Sequence, residues 1–78
     1  MNSYNNNEKV VPIYLDTIEA FPFDNMVNDH FKFLEKLVAK GYTLTIHRDT
    51  RKEVLQTITD VSHIRNFITH YKKAIGVK

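Results

Sequence analysis

The chain has 78 residues, with 11 basic side chains, 9 acidic ones and no cysteine. A chain of this length supports one domain with one core. Without cysteine it forms no disulfide, no thiolate metal site and no thiol nucleophile. Hydrophobic residues make up 42% of it, which is typical of a folding chain and excludes a disordered charged tail.

The two ends of the chain carry no targeting signal. Residues 1–7 contain four asparagines and little that folding would bury, so they predict a disordered Asn-rich tail ahead of a single domain over residues 8–78. The sequence shows no signal-peptide pattern and no apolar run of the roughly 20 residues that span a bilayer. We expect a cytoplasmic protein that does not contact membranes.

A strand opens the predicted domain. β-branched and aromatic residues fill positions 9–15, and Pro12 restricts this strand to a sheet edge or a bulge because it lacks an amide hydrogen. Residues 16–19 have the spacing of a capping box and predict one helical turn, which Pro22 prevents from extending.

A long helix follows from residue 24 to residue 40. Its apolar residues recur with the helical period, and Asp24 is positioned to cap its first turn. Gly41 is the residue type that ends many helices in the left-handed conformation. The residues of the apolar period are Val27, Phe31, Leu34, Leu37 and Val38.

The C-terminal part predicts a hairpin and a second helix. Residues 42–48 alternate polar and apolar side chains, and a polar break separates them from a second strand over 53–59. An amphipathic helix begins between Thr59 and Ser62 and ends at Gly76. The fold class is therefore α+β. We expect a small single domain of order β-α-β-β-α, with a three-stranded sheet packed by two helices on one face.

The order of elements from residue 30 to residue 76 resembles that of small double-stranded-RNA-binding-like folds, an order that HicA-type toxin ribonucleases share. The resemblance begins at Leu-Val-Ala-Lys-Gly-Tyr over 37–42, followed by the hairpin and the closing helix. It implies a ribonuclease site near residues 46–49. That family has a Gly-Ser-His-His type segment there, whereas this chain reads Ile-His-Arg-Asp.

The histidines do not form a metal-binding pattern. A zinc site needs three or four ligands that converge, usually at close spacing on a helix or loop. Here His30, His47 and the pair His63 and His70 lie on three different predicted elements, and no His-x-x-x-His occurs. The sequence predicts no metal site.

His47 and Asp49 are the best candidates for catalysis. They stand at a strand end, where Arg48 would orient a phosphate for general-base cleavage. No second acid accompanies them, and the two glycines, Gly41 and Gly76, are interpreted as helix stops and form no phosphate loop. We interpret His47 and Asp49 as hydrated turn residues, and expect no enzymatic activity and no cofactor.

Charge is distributed unevenly along the chain. Residues 1–31 contain five acids and one base, a net charge of −4, whereas residues 32–78 contain ten bases and four acids, a net charge of +6. If the hairpin tip and the last helix face the same way, their cations form a basic patch for phosphates. The residues of this predicted patch are Arg48, Arg51, Lys52, Arg65, Lys72 and Lys73.

Small size, the open strand edge and the lack of a catalytic constellation favour a non-enzymatic protein-binding module. We expect an inhibitor or accessory factor, encoded by a phage or another mobile element, that acts on a host protein. The first alternative is a nucleic-acid-binding protein that uses the basic patch, and the more distant one is a small toxin-like ribonuclease. A homodimer through the edge strand or the exposed sheet face is a further hypothesis.

Overall fold

The computed structural model describes residues 9–50 and 53–77, so the predicted tail at 1–7 lies outside the described residues. It confirms the α+β fold and the order of its main elements, and the turn after the first strand forms a third, short helix. The elements are β1 (Val10–Tyr14), α1 (Leu15–Glu19), α2 (Asp24–Ala39), β2 (Thr43–His47), β3 (Gln56–Ile58) and α3 (Val61–Ile75).

The three strands form one mixed sheet in the order β1-β2-β3. β2 pairs in parallel with β1 and antiparallel with β3, and Leu44 lies opposite Val11 on one side and Ile58 on the other. Pro12 therefore lies on an edge strand, as its missing amide hydrogen predicts.

One face of the sheet forms the core with the helices. Because side chains alternate along a strand, Val11, Ile13, Leu44, Ile46 and Ile58 share this face. Leu44 and Ile58 are completely buried there. The helices contribute their own buried stripe, mainly from α2, and the helical members of the cluster are Leu15, Ile18, Val27, Phe31, Leu34, Val38 and Ile64.

The first two helices begin differently from the sequence predictions. Residues 16–19 form no capping box: Tyr14 is the residue that precedes α1, and it makes no side-chain cap. In the same way, Asp24 is the first residue of α2 and Phe23 holds the capping position, without a side-chain hydrogen bond. Neither helix therefore has a side-chain hydrogen bond from its capping residue.

The second strand of the hairpin is shorter than predicted. Residues 53–55 are not part of β3, although the Leu55 amide still donates to the Ile46 carbonyl at 2.7 Å. Beyond the ladder, the Glu53 carbonyl accepts a hydrogen bond from the His47 ring at 2.8 Å.

The glycines that end α2 and α3, and the N-terminal cap of α3, agree with the sequence predictions. Gly41 and Gly76 both have positive φ angles, of 100° and 79°, a conformation that costs other residues about 1–2 kcal/mol. Asp60 caps α3 by accepting from the His63 amide at 2.8 Å. These signals explain why the bounds of α3 match the prediction closely.

We expect Leu44→Ala to lower the free energy of unfolding by about 2–5 kcal/mol, because it opens a cavity at the centre of the core. Leu55→Ala is the control: its side chain is half exposed, so its effect should stay within about 1 kcal/mol. Urea unfolding of both variants measures the difference. Equal losses of stability would contradict the central position of Leu44.

Candidate functional site

The described arginines of the predicted basic patch are paired with carboxylates. Arg48 Nη1 lies 2.9 Å from Glu19 Oε2 and 3.3 Å from Asp16 Oδ1. Arg65 Nε lies 3.1 Å from Glu35 Oε1. All three ion pairs are largely exposed, and solvent screening makes such pairs weak contributors to stability. Each guanidinium therefore has a carboxylate beside it that competes with any phosphate.

The remaining patch residues belong to α3 and to the predicted hairpin tip. Lys72 is half-buried and borders a shallow pocket with Glu35, whereas Lys73 is exposed. Arg51 and Lys52, the predicted hairpin tip, lie outside the described residues.

Glu19 connects three elements of the fold. Its carboxylate accepts hydrogen bonds from the Tyr71 hydroxyl on α3 and from Arg48 after β2. These two donors favour the ionised form and hold the pKa of Glu19 below its ordinary value. Burial, together with the hydrogen bond to Glu19, raises the pKa of Tyr71. The network links α1 to the C-terminal helix.

His47 is buried, with 7% of its surface exposed, and is not the hydrated turn residue that the sequence predicts. Its Nδ1–H donates to the Glu53 carbonyl at 2.8 Å, and in the neutral ring with this tautomer Nε2 accepts from the Thr45 hydroxyl at 2.9 Å. The ring centroid lies 5.5 Å from that of Tyr14. Both ring nitrogens therefore serve the structure, which leaves neither directed at a substrate.

His63 and His70 on α3 have hydrogen-bond partners different from those of His47. His63 Nε2 lies 2.6 Å from Gln56 Nε2, and His70 Nδ1 donates to the Asn66 carbonyl at 2.8 Å. Both border an open groove of about 500 Å³ along α3. Within residues 9–50 and 53–77, no group of three or more histidine, cysteine or acidic side chains converges to hold a metal ion.

His30 belongs to a second apolar stripe on α2. Its ring lies 5.5 Å from that of Phe21 and 6.5 Å from that of Phe33, and burial lowers the pKa of His30. The stripe alternates spacings of three and four residues, which keeps its members on one side of a helix. It consists of Phe23, Met26, His30, Phe33 and Leu37.

This stripe borders the outer edge of β1, with which no other strand of residues 9–50 and 53–77 pairs. A groove between strand and helix is lined by Val11 and Ile13 from β1 and by His30, Phe33 and Leu34 from α2. β1 is an outer strand in the described sheet. We refer to the outer edge of β1, together with Phe23, Met26, His30, Phe33 and Leu37, as the β1–α2 face.

Large apolar side chains are concentrated on this face. The described chain exposes six of them, and three belong to the stripe: Phe23 at 68%, Phe33 at 53% and Met26 at 43%. Val10, on β1, is exposed at 39%. The sequence analysis missed this stripe because it assigned Met26, His30 and Phe33 to the flanks of one apolar face. The alternating intervals of three and four residues that start at Phe23 would have indicated this second stripe.

Comparison of the chain with protein-family models, with curated proteins and with solved structures finds no match. No helix in residues 9–50 and 53–77 combines the length and the apolar character required to cross a membrane. The candidate site therefore rests on the geometry of the β1–α2 face.

We expect Glu19→Gln to lower the free energy of unfolding by about 1 kcal/mol at neutral pH, since it removes the charge that Arg48 and Tyr71 bind. The folded pKa of Glu19 is below its ordinary value of 4.5. Its contribution is therefore present above that pH and is lost as pH falls through the folded pKa. Urea unfolding across acidic pH should show the two proteins converging. A difference that is constant with pH, like that expected for the uncharged control Thr17→Ala, would contradict this role.

We expect the chain to leave immobilised DNA and RNA at low salt, because carboxylates engage both described arginines of the patch. Arg48→Gln combined with Arg65→Gln should leave the salt concentration of elution unchanged. A clear drop in that concentration, for this variant or for Arg51→Glu combined with Lys52→Glu, would instead favour the nucleic-acid alternative.

Proposed function

We propose that the chain is a small, non-enzymatic protein-binding module and that the β1–α2 face is its contact surface. The observation that carries the proposal is the placement of a half-exposed aromatic side chain, Phe33, beside the outer edge of a strand. Soluble domains seldom leave large apolar side chains grouped in this way unless a partner covers them.

The strand edge defines the chemistry of the partner. The outer side of β1 carries backbone groups, with no amide hydrogen at Pro12, and an extended segment pairs with the remaining groups by main-chain hydrogen bonds. Such a segment lies about 4.8 Å from β1, and every second side chain then points toward the groove that His30 and Phe33 line. The expected partner therefore presents an extended strand with apolar residues at alternate positions.

The apolar stripe supplies the binding energy. Full burial of a phenylalanine or methionine side chain contributes about 1.5–3 kcal/mol, and aromatic anchors at the centre of an interface are frequent hot spots. Much of this burial free energy is still available to a partner, because the chain by itself only partly covers Phe33, Met26 and Phe23.

An inhibitor or accessory factor that acts on a host protein, encoded by a phage or mobile element, is the wider role we propose for such a module. Its support is the small single core and the exposed face. The ribonuclease alternative has less support because His47 uses both ring nitrogens in structural hydrogen bonds. The nucleic-acid alternative stays a prediction, and the pairing of Arg48 and Arg65 with carboxylates does not favour it.

Selection of a displayed library of random peptides on the purified chain tests the proposal. We expect enriched peptides with apolar residues at alternate positions, and at least tenfold weaker binding of them to Phe33→Glu, a loss of about 1.4 kcal/mol. Val54→Glu is the matched control, because its side chain is exposed to a similar extent, 50% against 53%.

Amide exchange locates the bound peptide. Binding should slow exchange at Val10 or Tyr14, the positions of β1 whose amides share the outward side of Pro12. Enriched peptides that bind Phe33→Glu and the wild type equally, or that protect α3 and leave β1 unchanged, would contradict the proposed contact surface.

A further inference from the structure

We propose that the groove along α3 is a binding site for an adenine base, presented by a nucleoside such as adenosine. The groove lies at the edge of the sheet opposite to β1, between Gln56 of β3 and one side of α3. Its volume of about 500 Å³ is within the range of about 300–1,000 Å³ that is typical of small-molecule sites. The inference is independent of the proposed function, which uses the β1–α2 face.

Aromatic rings form the wall of this groove. The rings of Phe67 and Tyr71, one helical turn apart, are parallel to within 9°, with centroids 5.4 Å apart. The ring of Phe31 packs perpendicular to that of Tyr71 and supports it from the core. Phe67 and Tyr71 line the groove and are both only partly buried. A flat ligand ring that stacks on Phe67 extends this arrangement, and nucleobases stack favourably on aromatic side chains in this way.

The polar groups around this wall are amides and imidazoles. Asn66 adjoins Phe67, and its side chain makes no hydrogen bond within residues 9–50 and 53–77. Gln56 Nε2 donates to His63, which leaves Gln56 Oε1 as an acceptor. His70 Nδ1 donates to the Asn66 carbonyl, so Nε2 of the neutral ring is a further acceptor. The rim of the groove therefore offers both donors and acceptors to the edge of a base.

This lining favours adenine among the nucleobases. An asparagine or glutamine amide matches the amino group and ring nitrogen of adenine, whereas arginine or lysine matches guanine and a carboxylate matches cytosine. No arginine, lysine or carboxylate side chain of residues 9–50 and 53–77 lines the groove. The two rings of adenine also stack over more of Phe67 than the single ring of uracil does. Because the lining has no cation, a phosphate on the ligand gains no contact there.

Titration of the isotope-labelled chain with adenosine, followed by NMR, tests the assignment. We expect saturable shifts of the amide signals around Phe67 and Gln56. AMP should bind about as well as adenosine, because the groove contacts the base and not the phosphate. GMP, CMP and UMP, which carry the same phosphate as AMP, should bind about tenfold more weakly because their base edges do not match the amides.

Two variants test the wall and the rim. Phe67→Leu keeps an apolar side chain against the core but removes the ring, and should weaken adenosine binding about tenfold. Phe33→Leu, the same substitution on the β1–α2 face, should bind adenosine as the wild type does. Asn66→Ala should reduce the preference for AMP over GMP, whereas Asn25→Ala, at an exposed asparagine of α2, should leave it unchanged. Asn66 is itself exposed, so this variant tests the site even if Phe67→Leu does not fold.

Several results would overturn the site. The first is the absence of shifts in α3 at about 5 mM adenosine, above the Kd of a weak nucleoside site. Equal binding of the four nucleotides, or unchanged binding by folded Phe67→Leu, would exclude base recognition in the groove. Binding of single-stranded polyadenylate without binding of adenosine would also overturn it, because phosphates and not the base would then account for the contact.

Discussion

The position of β2 (Thr43–His47) at the centre of the sheet determines the rest of the structure. Its Leu44 lies between Val11 of β1 and Ile58 of β3 and is completely buried. Because β1 runs parallel to β2, the chain must cross from one end of the sheet to the other before it can pair again, and α1 and α2 make this crossing. The helices that cover the core and the strand that remains at the edge therefore follow from one pairing.

The crossing also brings opposite charges together. Arg48 follows β2 directly, and the parallel pairing puts it beside α1, which follows β1; the Asp16 amide donates to its carbonyl at 3.0 Å. Its guanidinium then reaches Asp16 and Glu19, and Glu19 reaches Tyr71 on α3. The acidic first part of the chain and the basic second part thus neutralise each other locally. For this reason an uneven distribution of charge along the sequence does not imply an uneven surface.

A small domain has limited capacity to bury its apolar residues. α2 carries two apolar stripes, and only the one that contains Phe31 and Leu34 is buried in the core, whereas the other contacts it in part through Leu37. The second stripe lies beside β1, where the sheet ends and nothing in the described chain extends far enough to cover Phe33. The same pairing that builds the core thereby leaves a strand edge and an apolar helix side next to each other. We propose that this juxtaposition is where the protein binds, and that the second stripe has a function outside the core.

Local patterns in the sequence were sufficient for most elements. The period of α2, the glycine stops at Gly41 and Gly76, and the restriction that Pro12 places on β1 depend on neighbours in the chain, and the structure agrees with each. The contacts at the ends of β3 and α1 were less predictable, because His47 bonds the Glu53 carbonyl and Arg48 bonds Asp16 and Glu19. These contacts join residues up to 32 positions apart, and no local pattern indicates them.

The sequence by itself therefore determined the element types, their order and the α+β class, since propensity, periodicity and stop signals act over a few residues. Only the tertiary structure decided which arginines are paired, that His47 is buried, and that the stripe through Phe33 lies along an open strand edge. These are properties of residues distant in sequence. Whether a side chain is covered or left for a partner depends on what the fold places beside it.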